Sequence, residues 1–221
     1  MKLRYHPRMF SHFETTVLLQ TLFLIAIVAE AMTAALAAGK REMDWVGVCL
    51  LGCITALGGG TVRDVVLGNQ PLTWVQHPSY LLLTGGAALF TIAVARYMHK
   101  LRNIFLFLDA VGLVVFTIIG CDVALRLELP VVVVVASGML TGCVGGVLRD
   151  LLCNSIPLLF RAELYATVSV ITSLLYIAGL TLDFNHDLVL AVSMLSGLAL
   201  RLLALRYGWS MPKFIYGGNI H

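Results

Sequence analysis

Charged residues are scarce in this chain. Only 12% of its 221 residues are Asp, Glu, Lys or Arg, whereas 59% are hydrophobic, and the mean hydropathy is +0.92. Soluble domains carry about 25% charged residues, so this composition excludes an ordinary water-soluble fold. Uncharged stretches of at least eighteen residues, long enough to cross the hydrocarbon core as helices, lie at 45–62, 129–148 and 164–182.

Recognisable enzyme motifs are also missing. The sequence contains no HExxH, GxSxG or P-loop pattern, and its six histidines lie in predicted tails or loops. The five cysteines form no CxxC pair, and we interpret them as small apolar packing residues. No basic tract with interleaved aromatic residues suggests nucleic-acid binding. We therefore expect a non-enzymatic membrane protein, surrounded by lipid, with no cofactor, no tightly bound metal and no nucleic-acid partner.

One short sequence motif, called here the repeated phrase, occurs twice. Residues 59–64, followed by Pro71, are similar to residues 145–150, followed by Pro157, which lie 86 positions later in the chain. Across positions 58–72 this offset gives six identities without a gap. Chance gives roughly one, because common residues each make up less than a tenth of a chain. A duplicated, glycine-rich hydrophobic segment that carries charges indicates a transport pathway between two repeats.

Apolar runs predict an all-α polytopic membrane protein with seven transmembrane helices, at 15–38, 45–68, 79–97, 104–124, 130–153, 162–181 and 187–205. The repeated phrase ends the second and the fifth of these helices. The predicted organisation is repeat 1 (15–97), repeat 2 (104–181), a seventh helix (187–205) and tails (1–14 and 206–221). Three helices per repeat force the second copy to be inverted, so each copy's Arg-Asp pair lies near a different membrane face.

The distribution of basic residues predicts the orientation. Four Lys or Arg residues fall on the side that contains the N-terminus, and nine fall on the other side. Because basic residues accumulate in cytoplasmic loops, the N-terminus is expected outside and the C-terminus in the cytoplasm. Arg63 and Asp64 then lie in the outer half of the membrane, and Arg149 and Asp150 in the cytoplasmic half.

Glycines precede each charged pair, at Gly58, Gly59, Gly60, Gly145 and Gly146. Glycine costs a helix about 1 kcal/mol relative to alanine, so these clusters predict a break or kink in the second and fifth helices. Carbonyls freed at a break can face a wet pathway and coordinate a cation. The alternative is close helix packing through small residues, which needs no pore. The recurrence at equivalent positions favours the pathway.

Arg63, Asp64, Arg149 and Asp150 are candidate pore or gate charges, because a charge in the membrane costs at least a few kcal/mol. Successive helical residues point about 100° apart, so we expect neither arginine to pair with its adjacent aspartate. Each arginine then needs a partner on another helix or in water. The alternative role for these arginines is to clamp helices together.

Depth along the predicted helices suggests ion-pair partners for the arginines. Asp122 falls at the depth of Arg63, while Glu30 and Asp109 fall at the depth of Arg149. Small residues surround Glu30 in the first helix, so that segment packs tightly or borders a cavity. Glu30 is either a pathway-lining acid or a partner of a neighbouring arginine, and the sequence leaves both open.

The sequence resembles a bacterial membrane family with tandem "glycine transporter" domains, which is related to the trimeric intracellular cation (TRIC) channels. The resemblance is carried by residues 56–64 and by the second copy of the motif at 145–150. The resemblance covers nearly the whole chain. It implies a homotrimer in a bacterial or archaeal inner membrane, with an hourglass pore in each protomer. The kinked second and fifth helices would line this pore and conduct K⁺ or Na⁺. The resemblance assigns the pore kink to Gly58, Gly59, Gly60, Gly145 and Gly146, and the charged gates to Arg63, Asp64, Arg149 and Asp150.

This sequence departs from its suspected relatives in two places. Animal TRIC channels carry a Lys-Glu-Val motif linked to lipid binding, which the second helix lacks, so phosphoinositide control is not carried over. The first repeat has Phe23 where the second has Asp109, so the two halves are not expected to be functionally identical.

Two main functions remain open at this stage. The favoured one is a passive monovalent-cation channel, with K⁺ as the expected ion, which needs only a continuous wet path with weak sites. The alternative is a secondary transporter for glycine or another small zwitterion, which would hold the carboxylate at a half-helix N-terminus. A structural membrane scaffold is a third reading.

Overall fold

The computed structural model describes residues 17–95, 101–161 and 164–209. The predicted tail 1–14 and most of the tail 206–221 lie outside the described residues. In the described part the chain forms nine helices and no strand. These are α1 (Val17–Gly39), α2 (Trp45–Leu67), α3 (Thr73–Gln76), α4 (Ser79–Ala95), α5 (Leu101–Arg126), α6 (Val131–Leu152), α7 (Leu158–Arg161), α8 (Tyr165–Thr181) and α9 (His186–Tyr207). The prediction of an all-α membrane protein is confirmed.

Five of the helices, α1, α2, α5, α6 and α9, are long and apolar enough to cross a membrane. The helices α4 and α8 have 17 residues each, which is about 26 Å at 1.5 Å per residue and the lower limit for a span. Each of the seven predicted segments therefore contains one helix. The short helices α3 and α7 were not predicted, because four residues are too few to show an apolar period.

The helix boundaries recur along the chain with the same offset as the repeated phrase. Helices α2 and α6 begin 86 residues apart, and so do α4 and α8, which have equal lengths. The short helices α3 and α7 begin 85 residues apart. The regularity therefore extends beyond the glycine phrase to α3, α4, α7 and α8.

Of the break or kink predicted at the glycines, the break is wrong. Helix α2 continues without interruption through Gly58, Gly59 and Gly60, and α6 continues through Gly145 and Gly146. Helix α2 ends only at Gly68, whose φ of +67° is a left-handed conformation that glycine adopts readily. The cost of a few glycines is small compared with that of leaving backbone carbonyls unpaired inside a membrane, so the helices stay intact.

Two of the glycines instead bring the backbones of α2 and α6 into contact. A Cβ atom on Gly59 would overlap the carbonyl oxygen of Thr141, and one on Gly145 would overlap that of Thr55. These two contacts are equivalent under the 86-residue offset, which maps Thr55 to Thr141 and Gly59 to Gly145. The pairing of 55 with 145 and of 59 with 141 also means that the helices run antiparallel at their crossing. For Gly59 and Gly145, the structure shows close packing.

Replacing either crossing glycine with alanine should destabilise the protein. We expect Gly59→Ala and Gly145→Ala each to cost about 1–3 kcal/mol, because the new methyl group meets a backbone carbonyl that cannot rotate away. The matched control is Gly86→Ala in α4, where a Cβ atom would meet nothing within 4 Å. Thermal unfolding of the purified variants in detergent measures the difference. Equal stability of Gly59→Ala and Gly86→Ala would mean that the crossing is not tightly packed.

Candidate functional site

Arg149 lies fully buried near the end of α6 and binds acids from three helices. Its Nε donates to Asp150 Oδ1 at 2.9 Å, and its Nη1 donates to Asp109 Oδ1 of α5 at 2.8 Å. The same Nη1 donates to Thr33 Oγ1 of α1 at 3.0 Å and lies 3.6 Å from Glu30 Oε2. One guanidinium thus faces three carboxylates. We call Arg149, Glu30, Asp109, Asp150 and Thr33 the Arg149 cluster.

The structure brings Glu30 and Asp109 to Arg149, as their depths along the helices had indicated. The expectation that Arg149 does not bind its neighbour Asp150 is wrong. The angle of about 100° between successive residues describes the Cα–Cβ directions. A long arginine side chain bends sideways along the helix surface, so its Nε reaches the adjacent carboxylate.

Arg63 makes the equivalent pair at the end of α2. Its Nε and Nη2 donate to Asp64 Oδ1 at 2.9 and 2.7 Å, and both side chains are almost fully buried. The predicted partner Asp122 is wrong for this arginine, since Asp122 binds Arg126 at 2.9 Å and lies 3.4 Å from the hydroxyl of Tyr176. Depth along a helix does not fix the direction in which a side chain points.

The two aspartates also connect their helices to the short helices that follow. Asp64 accepts hydrogen bonds from Asn69 Nδ2 at 2.9 Å and from Thr73 Oγ1 at 3.0 Å, at the start of α3. Asp150 Oδ2 accepts one from the amide of Leu158 at 2.9 Å, at the start of α7. Each carboxylate therefore neutralises an arginine and fixes a loop, whereas from the sequence we expected mainly the arginines to have a structural role.

The last glycine of each cluster leaves space beside a guanidinium. A Cβ atom on Gly146 would lie 3.5 Å from Arg149 Nη2 and 3.3 Å from the hydroxyl of Tyr165. A Cβ atom on Gly60 would lie 3.7 Å from Arg63 Nη2. Gly58 differs, since a Cβ atom there would overlap a methyl group of Leu148. Gly60 and Gly146 thus border the charged groups, whereas Gly58 packs against the other helix.

A cavity of about 370 Å³ opens next to the Arg149 cluster. Phe105 lies between the two, with its ring centre 4.6 Å from Arg149 Cζ, and Asp150 belongs to both. The cavity is lined by Ala37, Lys40, Arg41, Phe105, Asp150, Cys153, Ser155 and Leu158. Its lining contains charges of both signs, from Lys40, Arg41 and Asp150.

The cavity beside Arg63 is much smaller and mostly apolar. Its volume is about 20 Å³, which accommodates about one water molecule. Phe23 and Phe116 contact edge to face with ring centres 6.3 Å apart, and Ile119 completes this part of the wall. The two arginines therefore sit at equivalent positions in very different surroundings.

Several residues of these sites carried no sequence signal. Thr33, Phe105 and Tyr165 are ordinary residues of apolar segments, and only the fold brings them to Arg149. Arg201 of α9 is also fully buried, with its Cζ 4.7 Å from the ring centre of Tyr165. A comparison of the two repeats position by position could have found Thr33, because its counterpart in the other repeat is Ile119.

Known proteins resemble this chain along most of its length. The family model described as "Glycine transporter" matches residues 20–96 and 106–181. The inner membrane protein YadS of Escherichia coli K12 is 37% identical over 191 residues, which cover 86% of this chain and 92% of YadS. The structure of the TRIC trimeric intracellular cation channel orthologue from Rhodobacter sphaeroides matches with a TM-score of 0.83 at 34% identity, covering 86% of this chain and 98% of that one. The chain belongs to the prokaryotic TRIC family.

A second solved structure supports this TRIC assignment. It comes from work on the structural basis for conductance through TRIC cation channels and has a TM-score of 0.82 at 36% identity, covering 90% of this chain and 98% of that one. The resemblance noted from the glycine-arginine-aspartate phrase is thereby confirmed at the level of the family.

The loop-fixing role of the two aspartates predicts a difference between amide and methyl replacements. Asp64→Asn and Asp150→Asn keep an oxygen that can accept from Thr73 or from the amide of Leu158, whereas Asp64→Ala and Asp150→Ala keep none. We expect each alanine variant to be less stable than its asparagine counterpart by about 1–3 kcal/mol. Thermal unfolding in detergent tests this difference. If each alanine variant is as stable as its asparagine counterpart, the aspartates only neutralise the arginines and do not fix the loops.

Proposed function

We propose that this chain is a passive channel for monovalent cations, with K⁺ as the expected permeant ion. The similarity to solved TRIC cation channels, at 34–36% identity over 86–90% of the chain, supports this class of activity. The observation that carries the proposal is the antiparallel crossing of α2 and α6, which places a buried Arg-Asp pair beyond the crossing point on each helix.

The crossing also supports an inverted repeat. In this proposal α1 to α4 form one unit, α5 to α8 form the second unit in the opposite orientation, and α9 follows as an additional helix. All seven long helices span the membrane. Because α2 and α6 run antiparallel, Arg63 and Arg149 point to opposite membrane faces, as two copies with an odd number of spans require.

The pathway in this proposal lies within each protomer, is lined by α2 and α6, and passes beside the crossing where their backbones touch. Since both helices are continuous, ions cannot be coordinated by carbonyls at a helix break, and polar side chains must take that role. Ions enter through the 370 Å³ cavity and pass the Arg149 cluster and the helix crossing. They leave past Arg63, where the cavity is only about 20 Å³, so in this proposal the Arg63 end is the closed end of the pathway.

Assembly and orientation follow from the relatives and from the basic residues. The Rhodobacter sphaeroides protein is described as trimeric, and YadS as an inner membrane protein. We therefore propose a homotrimer in an inner membrane, with the N-terminus outside and the C-terminus in the cytoplasm. No cofactor is required for this function, only the permeant cation and the surrounding lipids.

Transport of glycine, which the family description names, is the competing function. A carrier of this kind would bind the carboxylate at the N-terminus of a half-helix. Helices α2 and α6 are continuous throughout their lengths, so neither offers such a terminus at mid-membrane. This geometry favours the channel.

Recordings from planar bilayers test the proposal directly. Purified protein under a K⁺ gradient should produce unitary current steps whose reversal potential follows the K⁺ gradient. In parallel, proteoliposomes should show no saturable uptake of glycine. Silent bilayers together with saturable glycine uptake would replace the channel with a carrier.

Neutralising the buried charges should change conduction in opposite directions. Arg63→Gln and Arg149→Gln each remove a positive charge from a low-dielectric path, so cation flux should rise, or the voltage dependence should shift with opposite sign for the two sites. Asp64→Asn and Asp150→Asn should reduce cation flux or selectivity over anions. Size-exclusion chromatography establishes that each variant is still assembled. Normal flux and selectivity in both aspartate variants would leave these carboxylates with a purely structural role.

A further inference from the structure

Arg149 Nη1 occupies a position that suits a small cation. Three oxygen atoms from two helices lie close to it: Asp109 Oδ1 at 2.8 Å, Thr33 Oγ1 at 3.0 Å and Glu30 Oε2 at 3.6 Å. Hard monovalent cations bind oxygen ligands of these types, namely carboxylates and hydroxyls. All three residues are buried, so the oxygen atoms are fixed by packing rather than by solvent.

This ring of oxygen atoms is absent from the equivalent position near Arg63. Under the 86-residue offset, Asp109 corresponds to Phe23, Glu30 to Phe116 and Thr33 to Ile119. These three apolar side chains line the 20 Å³ cavity beside Arg63. Arg63 is held by Asp64 without these three oxygen atoms. An arginine that only holds helices together in this fold therefore does not require them.

The Arg149 cluster brings three carboxylates to one guanidinium. A second buried guanidinium, that of Arg201, lies against Tyr165. Removal of Arg149 would therefore leave Glu30, Asp109 and Asp150 close together without the guanidinium that they share.

Three polar atoms in and beside the cluster are unpaired. Asp109 Oδ2, Arg149 Nη2 and the hydroxyl of Tyr165 are buried and have no hydrogen-bond partner among the described residues. Two of these atoms, the Tyr165 hydroxyl and Arg149 Nη2, lie on the Gly146 side of the cluster, 3.3 and 3.5 Å from the point that a Cβ atom on Gly146 would occupy. A water molecule bound to these atoms would satisfy groups that are otherwise costly to bury.

We infer that Glu30, Thr33 and Asp109 form a binding site for a monovalent cation. The guanidinium of Arg149 competes with the ion for the same three oxygen atoms. This inference rests on the proposed function only in that the ion is the permeant one. When Arg149 withdraws toward the adjacent cavity, the three oxygen atoms become available to K⁺. Arg63 has no such role, because its surroundings offer a cation no comparable ligands.

Thermal unfolding of the full-length Arg149→Ala protein in detergent tests this site without relying on conduction. Unfolding is compared in KCl and in N-methyl-D-glucamine chloride of equal ionic strength, since the organic cation is too large for the site. Binding to the folded state should raise the Tm of Arg149→Ala in KCl by about 3–5 °C. The matched control is Arg63→Ala, whose Tm should differ by less than about 1 °C between the two salts, as should that of the wild type.

A second variant covers the case in which Arg149→Ala does not fold. The double variant Glu30→Gln/Arg149→Ala removes one positive and one negative charge, so the formal charge of the cluster is unchanged. It retains Asp109, Thr33 and an amide oxygen as ligands and should show the same stabilisation by K⁺. Adding Asp109→Asn to this variant should abolish the stabilisation.

Two results would overturn the inference. The first is that both folded variants respond to K⁺ no more than Arg63→Ala does. The second is that neither variant folds even in KCl, because a bound cation would replace the lost positive charge. Failure of the channel proposal is distinguishable from either result. K⁺ could stabilise Arg149→Ala in a protein that never conducts, and a conducting protein could lack this stabilisation.

Discussion

The backbone contact between α2 and α6 determines the geometry of the rest of the molecule. No side chain fits where Gly59 and Gly145 face the carbonyl groups of Thr141 and Thr55. Arg63 and Arg149 follow these glycines by four residues, about one helical turn, so each arginine leaves the same face of its helix just beyond the crossing. The crossing thus decides where the two buried charges lie, and every partner they bind must be supplied around those two points.

Burial of a guanidinium is costly unless its charge and its hydrogen bonds are satisfied. Both arginines meet this requirement first with the adjacent aspartate, which also holds the start of the following short helix. This solution is local and needs only the end of one helix and the loop after it, so it occurs in both repeats. The additional ligands of Arg149 come from α1 and α5, one helix from each half, and the equivalent positions around Arg63 carry apolar residues instead.

Much of the fold could be predicted from the sequence. The seven predicted segments agree with the long helices to within about three residues at their described ends, because long apolar runs and charged boundaries are strong signals in a membrane protein. The unbroken α2 and α6 could not be distinguished from broken helices. A glycine cluster weakens a helix and permits close packing equally well, and only the neighbouring helix decides between the two.

The predictions of the site were wrong where they depended on the direction in which a side chain points. Helical depth correctly brought Glu30 and Asp109 to Arg149, but it assigned Asp122 to Arg63, although Asp122 binds Arg126 instead. Depth gives the position of a side chain along the helix axis. The angle of the side chain around that axis also decides which residues it contacts. The reach of arginine caused the second error, since pairing with an adjacent aspartate depends on the whole side chain and not on its first bond.

The internal duplication offers information that single positions do not. Residues shared by both copies, such as the crossing glycine, the arginine and the aspartate, serve needs common to both halves, namely helix contact and neutralisation of a buried charge. Most other equivalent positions differ, and a few of these differences lie at the site itself. The 86-residue offset sets Phe23 opposite Asp109, Phe116 opposite Glu30 and Ile119 opposite Thr33. All three differences fall around Arg149 Nη1, so Arg149 has ligands there that Arg63 lacks, and this is the place where we propose that a cation binds.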